Sequence, residues 1–386
     1  MDGTSCRAQV RIDTQPQLWF IYSVAMQLEF DSDTRALLDR FGFDQAEFLA
    51  LRQSFLSGKL GVDSNRIRGK VEPPRLEDVK RLPALDSPER KRLAALGVQA
   101  MRRGEVGCVV LAGGMATRFG GVVKAAVPAL SGRTFLSLKL GGVRLTAEQL
   151  ESRVPVFVMT SFATDAEIRR MLPELESASV PVSAFAQFIS LRLRLDGELF
   201  RDGNAVSPYA PGHGDLSFAL RRSGVLGRFL AQGGRLLYMS NVDNLAATLD
   251  PAVIGAHIDS GCAITAEVVS KDSGDAGGAP ARVDGTLQIV ESFRFPTDFS
   301  EDQIPVFNVN SFVLDAHAID REFPLSWFAV RKKVAGQEAI QFEHLVGELT
   351  AFASTQCLHV DRDGADGRFQ PVKDPEELAR RAPQIE

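Results

Sequence analysis

Paired cysteines are missing from this sequence. Its four cysteines, Cys6, Cys108, Cys262 and Cys357, lie far apart and form no C-x-x-C pair, and its five histidines form no H-x-x-x-H or mixed Cys/His cluster. Zinc and iron–sulfur centres need such clusters, and disulfide scaffolds need dense cysteine, so all three readings fall away. Reduced thiols in a cytoplasmic protein are the expectation. Positive charge is not in surplus either, with 44 Lys and Arg against 49 Asp and Glu for a net charge of −5. A protein that grips a phosphate backbone needs a polycationic face, so nucleic acid is not expected as a partner, whereas small anions need only a few local cations. No apolar run reaches the roughly 20 residues that span a bilayer. The segment Leu18 to Met26, behind Arg7 and Arg11, resembles a short secretory signal, but no A-x-A pattern follows it. Regular amphipathic patterning starts at Met26, which makes Met26 an alternative start of translation. No membrane partner is expected.

What is there is ordinary globular material. Apolar residues make up 45% and charged residues 24% of 386, which excludes disorder as the main state. The length fits two modest domains, or one large α/β domain with an accessory segment. Residues 27–60 carry helical apolar spacing (Leu37, Leu38, Phe41, Phe48, Leu51, Phe55) punctuated by Gly42 and Gly58. Arg66 to Pro83 is polar and proline-bearing and reads as a connecting strap. Beyond Arg102, short β-branched runs alternate with helical patterns: strands near 108–111, 154–159, 182–188, 236–239, 264–269 and 306–314, and helices near 164–172, 215–222 and 251–259. Such alternation predicts a mostly parallel sheet with helices on both faces. Asp284-Gly285 marks a hairpin within 282–293. The expected division is an N-terminal helical segment and strap (1–92), a catalytic domain (93–360) and a short C-terminal segment (361–386).

The sharpest feature is Val109-Val110-Leu111-Ala112-Gly113-Gly114-Met115-Ala116-Thr117-Arg118-Phe119-Gly120-Gly121, with Lys124 just beyond. A buried strand enters a loop whose glycines let backbone N–H groups approach a ligand, and Arg118 and Lys124 add charge suited to a polyphosphate. The adjacent glycines rule out G-x-G-x-x-G, and the absence of Gly-Lys-Ser/Thr rules out a P-loop. A glycine-rich turn with two surface cations is the plainer alternative.

L-A-G-G-x-x-T-R-x-G followed by lysine resembles the signature loop of the sugar-nucleotide pyrophosphorylases, in particular the branch of UDP-glucose and UDP-N-acetylhexosamine pyrophosphorylases. Further matches follow in the family's order: Phe185-Ala186-Gln187, Pro211-Gly212-His213-Gly214-Asp215, Ser240-Asn241-Val242-Asp243-Asn244-Leu245, Gly277-Gly278, Val290-Glu291, Phe307-Asn308-Val309-Asn310 and Pro371-Val372-Lys373. The resemblance covers residues 27–378. It implies a Rossmann-like mixed sheet of the nucleotide-diphospho-sugar transferase type. The sequence runs less than two dozen residues past Lys373, so the C-terminal β-helix that mediates assembly in the eukaryotic enzymes is expected to be absent; any oligomer would need another surface, and a monomer is the expectation. The resemblance also implies a uridylyltransferase that takes UTP and a sugar 1-phosphate to UDP-sugar and pyrophosphate with Mg²⁺.

On that resemblance the main chain of Leu111, Ala112, Gly113 and Gly114, with Gln187 and Gly212, selects uracil. Lys124 and Arg118 face the polyphosphate, and Lys332 with His213 steadies the sugar phosphate. Asn241, Glu291, Asn308 and Asn310 hold sugar hydroxyls and phosphate. Asp243 follows an apolar strand, at the sheet edge where open α/β folds bind ligands, and a carboxylate there suits Mg²⁺. A turn-capping role is the alternative for Asp243, a solvated turn for His213, and a solvated basic turn for Lys332, with Lys333 open as the lysine that matters. No second metal carboxylate is assigned. Two departures stand out: Ala116 replaces a glycine and Val123 replaces a proline. Ala116 puts the loop geometry in question, because a Cβ restricts positive φ, and it keeps open a protein that binds nucleotide sugars without turning them over. Glucose 1-phosphate is the expected substrate. Arg331-Lys332-Lys333 and Gln341-Phe342-Glu343 also resemble the N-acetylhexosamine branch, so N-acetylglucosamine 1-phosphate or a broader set of sugars stands second.

Overall fold

The computed structural model describes residues 28–385 apart from 273 and 276. The apolar stretch 18–26, the alternative start at Met26 and Cys6 lie outside the described residues. Eight strands form the central sheet: β1 (Val79–Arg81), β2 (Val106–Leu111), β3 (Val156–Thr160), β4 (Val182–Ala186), β5 (Leu236–Asn241), β6 (Ile264–Ser270), β7 (Val306–Asp315) and β8 (Thr355–His359). Their order is β1-β8-β6-β7-β5-β2-β3-β4. Five of the seven pairings are parallel, and β7 runs antiparallel to both β5 and β6.

Continuous apolar runs make these strands two-faced, because successive side chains point to opposite sides. Cys108, Val110, Val156, Val158, Leu236 and Tyr238 pack on one face against the helices Pro88–Arg102, Phe135–Gln149, Asp165–Leu175 and Pro251–Ser260. Val109, Phe157, Met159, Leu237 and Met239 pack on the other against Leu216–Arg222 and Val225–Ala231. Each such buried side chain is worth about 1.5–3 kcal/mol relative to exposure. Local signals agree with the helix starts: Ser87 accepts from the Arg90 N–H, with Pro88 behind it, and Thr134 accepts from the Ser137 N–H.

A third apolar cluster joins the N-terminal helices Ser32–Arg40 and Gln45–Leu56 to the hairpin of Phe328–Val334 and Gln337–Glu343, through Leu38, Phe41, Phe48, Ala329, Ile340 and Phe342. The segment at 66–83 is more than a strap. It supplies β1, parallel to β8, and the strand Val71–Glu72 paired with Gly278–Val283. Lys80 and Arg81 are exposed on this outer strand, and charge on an edge strand hides strand character from a hydropathy reading. The helix Pro88–Arg102 runs across the boundary expected at 92/93. Among the described residues no helix is long and apolar enough to cross a membrane. Cys108 and Cys357 are buried free thiols, and Cys262 is half-buried and free.

Reading out from β2, the chain lays β3 and β4 on one side and β5 on the other. Open α/β sheets bind ligands where the strand order reverses in this way, at the carboxyl ends of the strands. Here that crevice opens between Leu111 and Asn241, which are partners in the β2/β5 register.

Candidate functional site

The glycine loop leaves β2 in short, well-tied steps. Ala112 N–H donates to Met159 O at 2.9 Å, Val242 N–H donates to Leu111 O at 3.1 Å, and Ser161 Oγ donates to Gly113 O at 2.8 Å. Gln187, just past β4, lies directly over Gly113: a Cβ on Gly113 would stand 2.1 Å from Gln187 Nε2. A side chain at this position would have to displace the Gln187 amide. Gln187 is buried, its N–H is spent on Thr160 O, and its Oε1 has no hydrogen-bond partner among the described residues. A buried amide oxygen without a partner is costly, which marks it as an acceptor awaiting a ligand.

Gly114 O accepts from Lys124 N–H at 3.3 Å, so the loop folds back on itself. Between them Met115–Ala116 pairs with Val122–Val123 as a small hairpin turning at Gly120 and Gly121. Ala116 corrects the doubt raised by its Cβ. Its φ is −83°, an ordinary value, and its methyl group is buried in the core. Val123 has φ −64°, the angle a proline ring imposes. Neither residue is strained in this loop. Arg118 sits exposed on the hairpin tip and makes no hydrogen bond or ion pair among the described residues.

Lys124 reaches across the crevice and forms an ion pair with the Asp243 carboxylate. Asp243 lies two residues beyond β5, and its carbonyl accepts from Val372 N–H at 3.1 Å. The Pro371-Val372-Lys373 segment is thus tied to the Asp243 turn, with Pro371 bridged to Asn244. At the same edge Asn310 Nδ2 donates to Asn241 Oδ1 at 3.0 Å, and Asn310 N–H donates to Asn308 Oδ1 at 3.2 Å. The β6/β7 register breaks between Ala266 and Val268, and Asn310 adopts φ +57°, which Asn tolerates. That bulge aims the amide at Asn241.

A second group forms around the turn at 211–215. Gly214 packs so tightly on the main chain at His344 that a Cβ would stand 2.3 Å from its carbonyl carbon. Gly214 N–H donates to His344 O, and His344 N–H donates to Pro211 O. Asp215, buried, accepts from Phe188 N–H at 3.1 Å and so ties this turn to the residue after Gln187. His213 Nδ1 accepts from Val346 N–H at 3.1 Å, which places its proton on Nε2, and burial pushes its pKa down to about 4. It is a neutral N–H donor at physiological pH. Lys332 pairs with Glu343 at 3.1 Å, and the Cβ of Glu343 lies 4.0 Å from the Cβ position of Gly212. Lys333, the next residue along the same strand, points to the other face of the hairpin. Glu291 lies against Gly278, and burial pushes its carboxyl pKa up, Arg294 opposing and Glu343 adding to the rise.

The structure thus brings Leu111, Ala112, Gly113, Gly114, Gln187, Asn241, Asp243, Lys124, Asn308 and Asn310 to one sheet edge. Gly212, His213 and Lys332 group around Glu343, which also bears on Glu291, and Arg118 stands apart on the surface. Three contributors escaped the sequence reading: Ser161, which holds Gly113; Glu343 as the partner of Lys332; and Lys139 beneath the Asp243 turn. Ser161 had a signal, a polar Thr-Ser step at the carboxyl end of an apolar strand. For a metal, the donor set is one carboxylate. Among the described residues no three His, Cys, Asp or Glu side chains converge. A single partly exposed carboxylate fits a hard divalent ion that takes its remaining ligands from phosphate and water.

Known proteins resemble this chain in sequence and in fold. A family model described as UTP–glucose-1-phosphate uridylyltransferase matches residues 45–380. UTP–glucose-1-phosphate uridylyltransferase 2 of Dictyostelium discoideum is 28% identical over 332 residues, covering 80% of this chain and 63% of that protein. The Saccharomyces cerevisiae UTP–glucose-1-phosphate uridylyltransferase is 29% identical over 281 residues, covering 68% and 56%. The chain therefore spans about three-fifths of the length of these relatives. Among solved structures, the uridine diphosphate N-acetylglucosamine pyrophosphorylase of Trypanosoma brucei in complex with an inhibitor superposes with a TM-score of 0.71 at 21% identity, covering 92% of this chain and 85% of that one. A variant of Leishmania major UDP-glucose pyrophosphorylase in complex with UDP-glucose gives 0.68 at 21%, covering 91% and 79%. At these identities the likeness is one of fold.

Proposed function

Because the chain belongs to the UTP–glucose-1-phosphate uridylyltransferase family, we propose that it joins UTP and glucose 1-phosphate to give UDP-glucose and pyrophosphate, reversibly. The observation that carries the reading is the crevice in which an unpartnered Gln187 amide over Gly113 stands at the same sheet edge as the Lys124–Asp243 pair. An amide offers one acceptor and one donor in a plane, as the N3–H and neighbouring carbonyl of uracil require. The main chain at 111–114 and Gly212 close around the base.

The sugar phosphate is already an anionic nucleophile, so no general base is needed. The protein's task is to hold that oxygen in line with the α-phosphorus and to meet the charge that builds on phosphorus and leaving group. Lys124 meets the polyphosphate from the core side and Arg118 from the exposed hairpin tip. Lys332 and the neutral Nε2–H of His213 hold the sugar phosphate. Asn241, Asn308, Asn310 and Glu291 receive the sugar hydroxyls. Asp243 is the residue that would hold Mg²⁺, whose charge when bound helps neutralise the phosphates. The three free thiols among the described residues suit a reducing compartment such as the cytoplasm. The outer edge of β4 is guarded by side chains: Val182 N–H meets Glu176, Ala184 O meets Arg169 and Ala186 O meets Arg222, which favours a monomer.

Purified full-length protein given UTP, CTP or ATP with a panel of sugar 1-phosphates, read by pyrophosphate release, tests the proposal. The expected result is greatest turnover with UTP and glucose 1-phosphate, with N-acetylglucosamine 1-phosphate as the competing substrate. Saturable binding of UDP-glucose with no pyrophosphate-dependent release of UTP would instead make the protein a binding module. Ala116, the residue that kept that alternative open, now lends it no support.

A further inference from the structure

The helix Phe135–Gln149 begins soon after the loop that bears Lys124, and it turns Leu136, Leu140 and Val143 to the core. Lys139 lies on the same face and is only 6% exposed. Among the described residues it has no ion-pair partner. Burial, followed by the nearby Arg368 guanidinium, pushes its pKa down to about 7. A cation so placed is costly unless its hydrogens are used. Two are used: Nζ donates to the carbonyl of Asn244 at 2.8 Å and to the carbonyl of Ala247. A cavity of about 30 Å³ borders it, lined also by Cys108, Tyr238 and Ser240, with room for one water as a third partner.

Both carbonyls belong to the turn that carries Asp243. The peptide before Asn244 is fixed by Val372 N–H on Asp243 O, and the peptide after it by Lys139 on Asn244 O. The Asn244 side chain donates to Arg368 O and accepts from Gln370 N–H. Arg368 is anchored by a bidentate pair with the buried Glu267 and also donates to Thr248 O. With the planes on both sides of Asn244 pinned, φ and ψ of Asn244 are set, so the main chain leaving Asp243 is held in one course, while the carboxylate itself rests on Lys124.

We infer that Lys139 is a positioning residue, a buried clamp that holds the main chain of the Asp243 turn through two carbonyls and so keeps Asp243 at the crevice beside Lys124. The inference rests on the uridylyltransferase reading only in its kinetic arm.

Full-length wild type, Lys139→Met and Lys139→Gln are compared by amide hydrogen exchange and by steady-state kinetics. Methionine fills the space without donating, whereas glutamine keeps a donor that can serve one carbonyl. Exchange of the amides at 243–248 is expected to rise about 10-fold or more in Lys139→Met with the rest of the sheet unchanged, and to recover partly in Lys139→Gln. In parallel, kcat is expected to fall about 10–100-fold with KM for UTP within about 3-fold. Unchanged exchange in that turn overturns the inference. So does a general rise in exchange throughout the sheet in both variants, the mark of a merely structural lysine. If Lys139→Met does not fold, the exchange of Lys139→Gln decides. A wild type without turnover counts against the proposed reaction and leaves the exchange result to judge the clamp.

Discussion

Lys124 and Lys332 each rest on a carboxylate, but on different ground. The Lys124–Asp243 pair is partly buried, with side chains 17% and 18% exposed, and both partners sit on loops pinned to the main sheet. In the Lys332–Glu343 pair the lysine is 48% exposed and stands on a two-stranded hairpin braced by the N-terminal helices. An exposed ion pair contributes about 0–1 kcal/mol and is screened by salt, so Lys332 is free to leave Glu343 for an incoming anion. The Lys124–Asp243 pair is held between two loops that are each tied to the main sheet. The contrast gives the proposed roles a physical basis: a lysine set between pinned loops suits the reacting phosphates, and a lysine on an exposed hairpin suits capture of the second substrate.

The largest effect should come from breaking the fixed pair. Asp243→Ala and Lys124→Ala should each lower kcat about 10³-fold, and the double variant should lose no more than about 10-fold beyond the worse single one, because the two act as a unit. Fully multiplicative losses in steady-state turnover would break the comparison at its stronger side. Next, Gly113→Ala pushes a methyl group into Gln187 Nε2. It should raise KM for UTP about 10–100-fold with little change for the sugar phosphate, read from initial rates with each substrate varied in turn. On the mobile side, Lys332→Ala should raise KM for the sugar 1-phosphate about 10-fold, and Lys333→Ala should stay within about 2-fold. Equal effects at the two positions would remove the role of hairpin register.

The smallest effect concerns stability. His213 and His257 both have pKa values pushed down by burial to about 4 in the fold, below an ordinary 6.5. Folding thus favours their neutral forms, so the stability they contribute is fully present above pH 6.5 and is lost as pH falls from 6.5 towards 4. The loss should be roughly 1–3 kcal/mol per histidine. Urea denaturation at pH 7.0, 5.5 and 4.5 should show a shallower decline for His213→Gln and for His257→Gln than for wild type. Parallel declines in all three proteins would mean that neither histidine is held neutral.

Much of this was legible in the sequence for definite reasons. Parallel strands buried on both faces leave continuous apolar runs, so six of the eight sheet strands stood out. The glycine loop and the Asp243 turn follow such runs directly, and a strand end in an open sheet is where chemistry belongs. What stayed hidden depends on distant contacts. Val79–Arg81 is short and charged, and only its pairing with Thr355–His359 makes it a strand. Glu343 stood out only as the end of Gln341-Phe342-Glu343, and nothing local shows that the hairpin pairs it with Lys332. Lys139 reads as an ordinary polar position of an amphipathic helix, and nothing local shows that carbonyls more than one hundred residues away receive it. Ala116 misled for a complementary reason: a likeness to other chains suggested that glycine was needed, whereas the local φ of −83° shows that it was not.

The central claim is that one crevice, between the carboxyl ends of β2 and β5, receives both the base and the phosphates of UTP. A crystal structure of the full-length protein with UTP bound tests it most directly. The account predicts uracil against the Gln187 amide and Gly113, with the triphosphate running past Lys124 towards Asp243. Nucleotide density at any other place on the molecule, with Gln187 Oε1 still unpartnered, would contradict it.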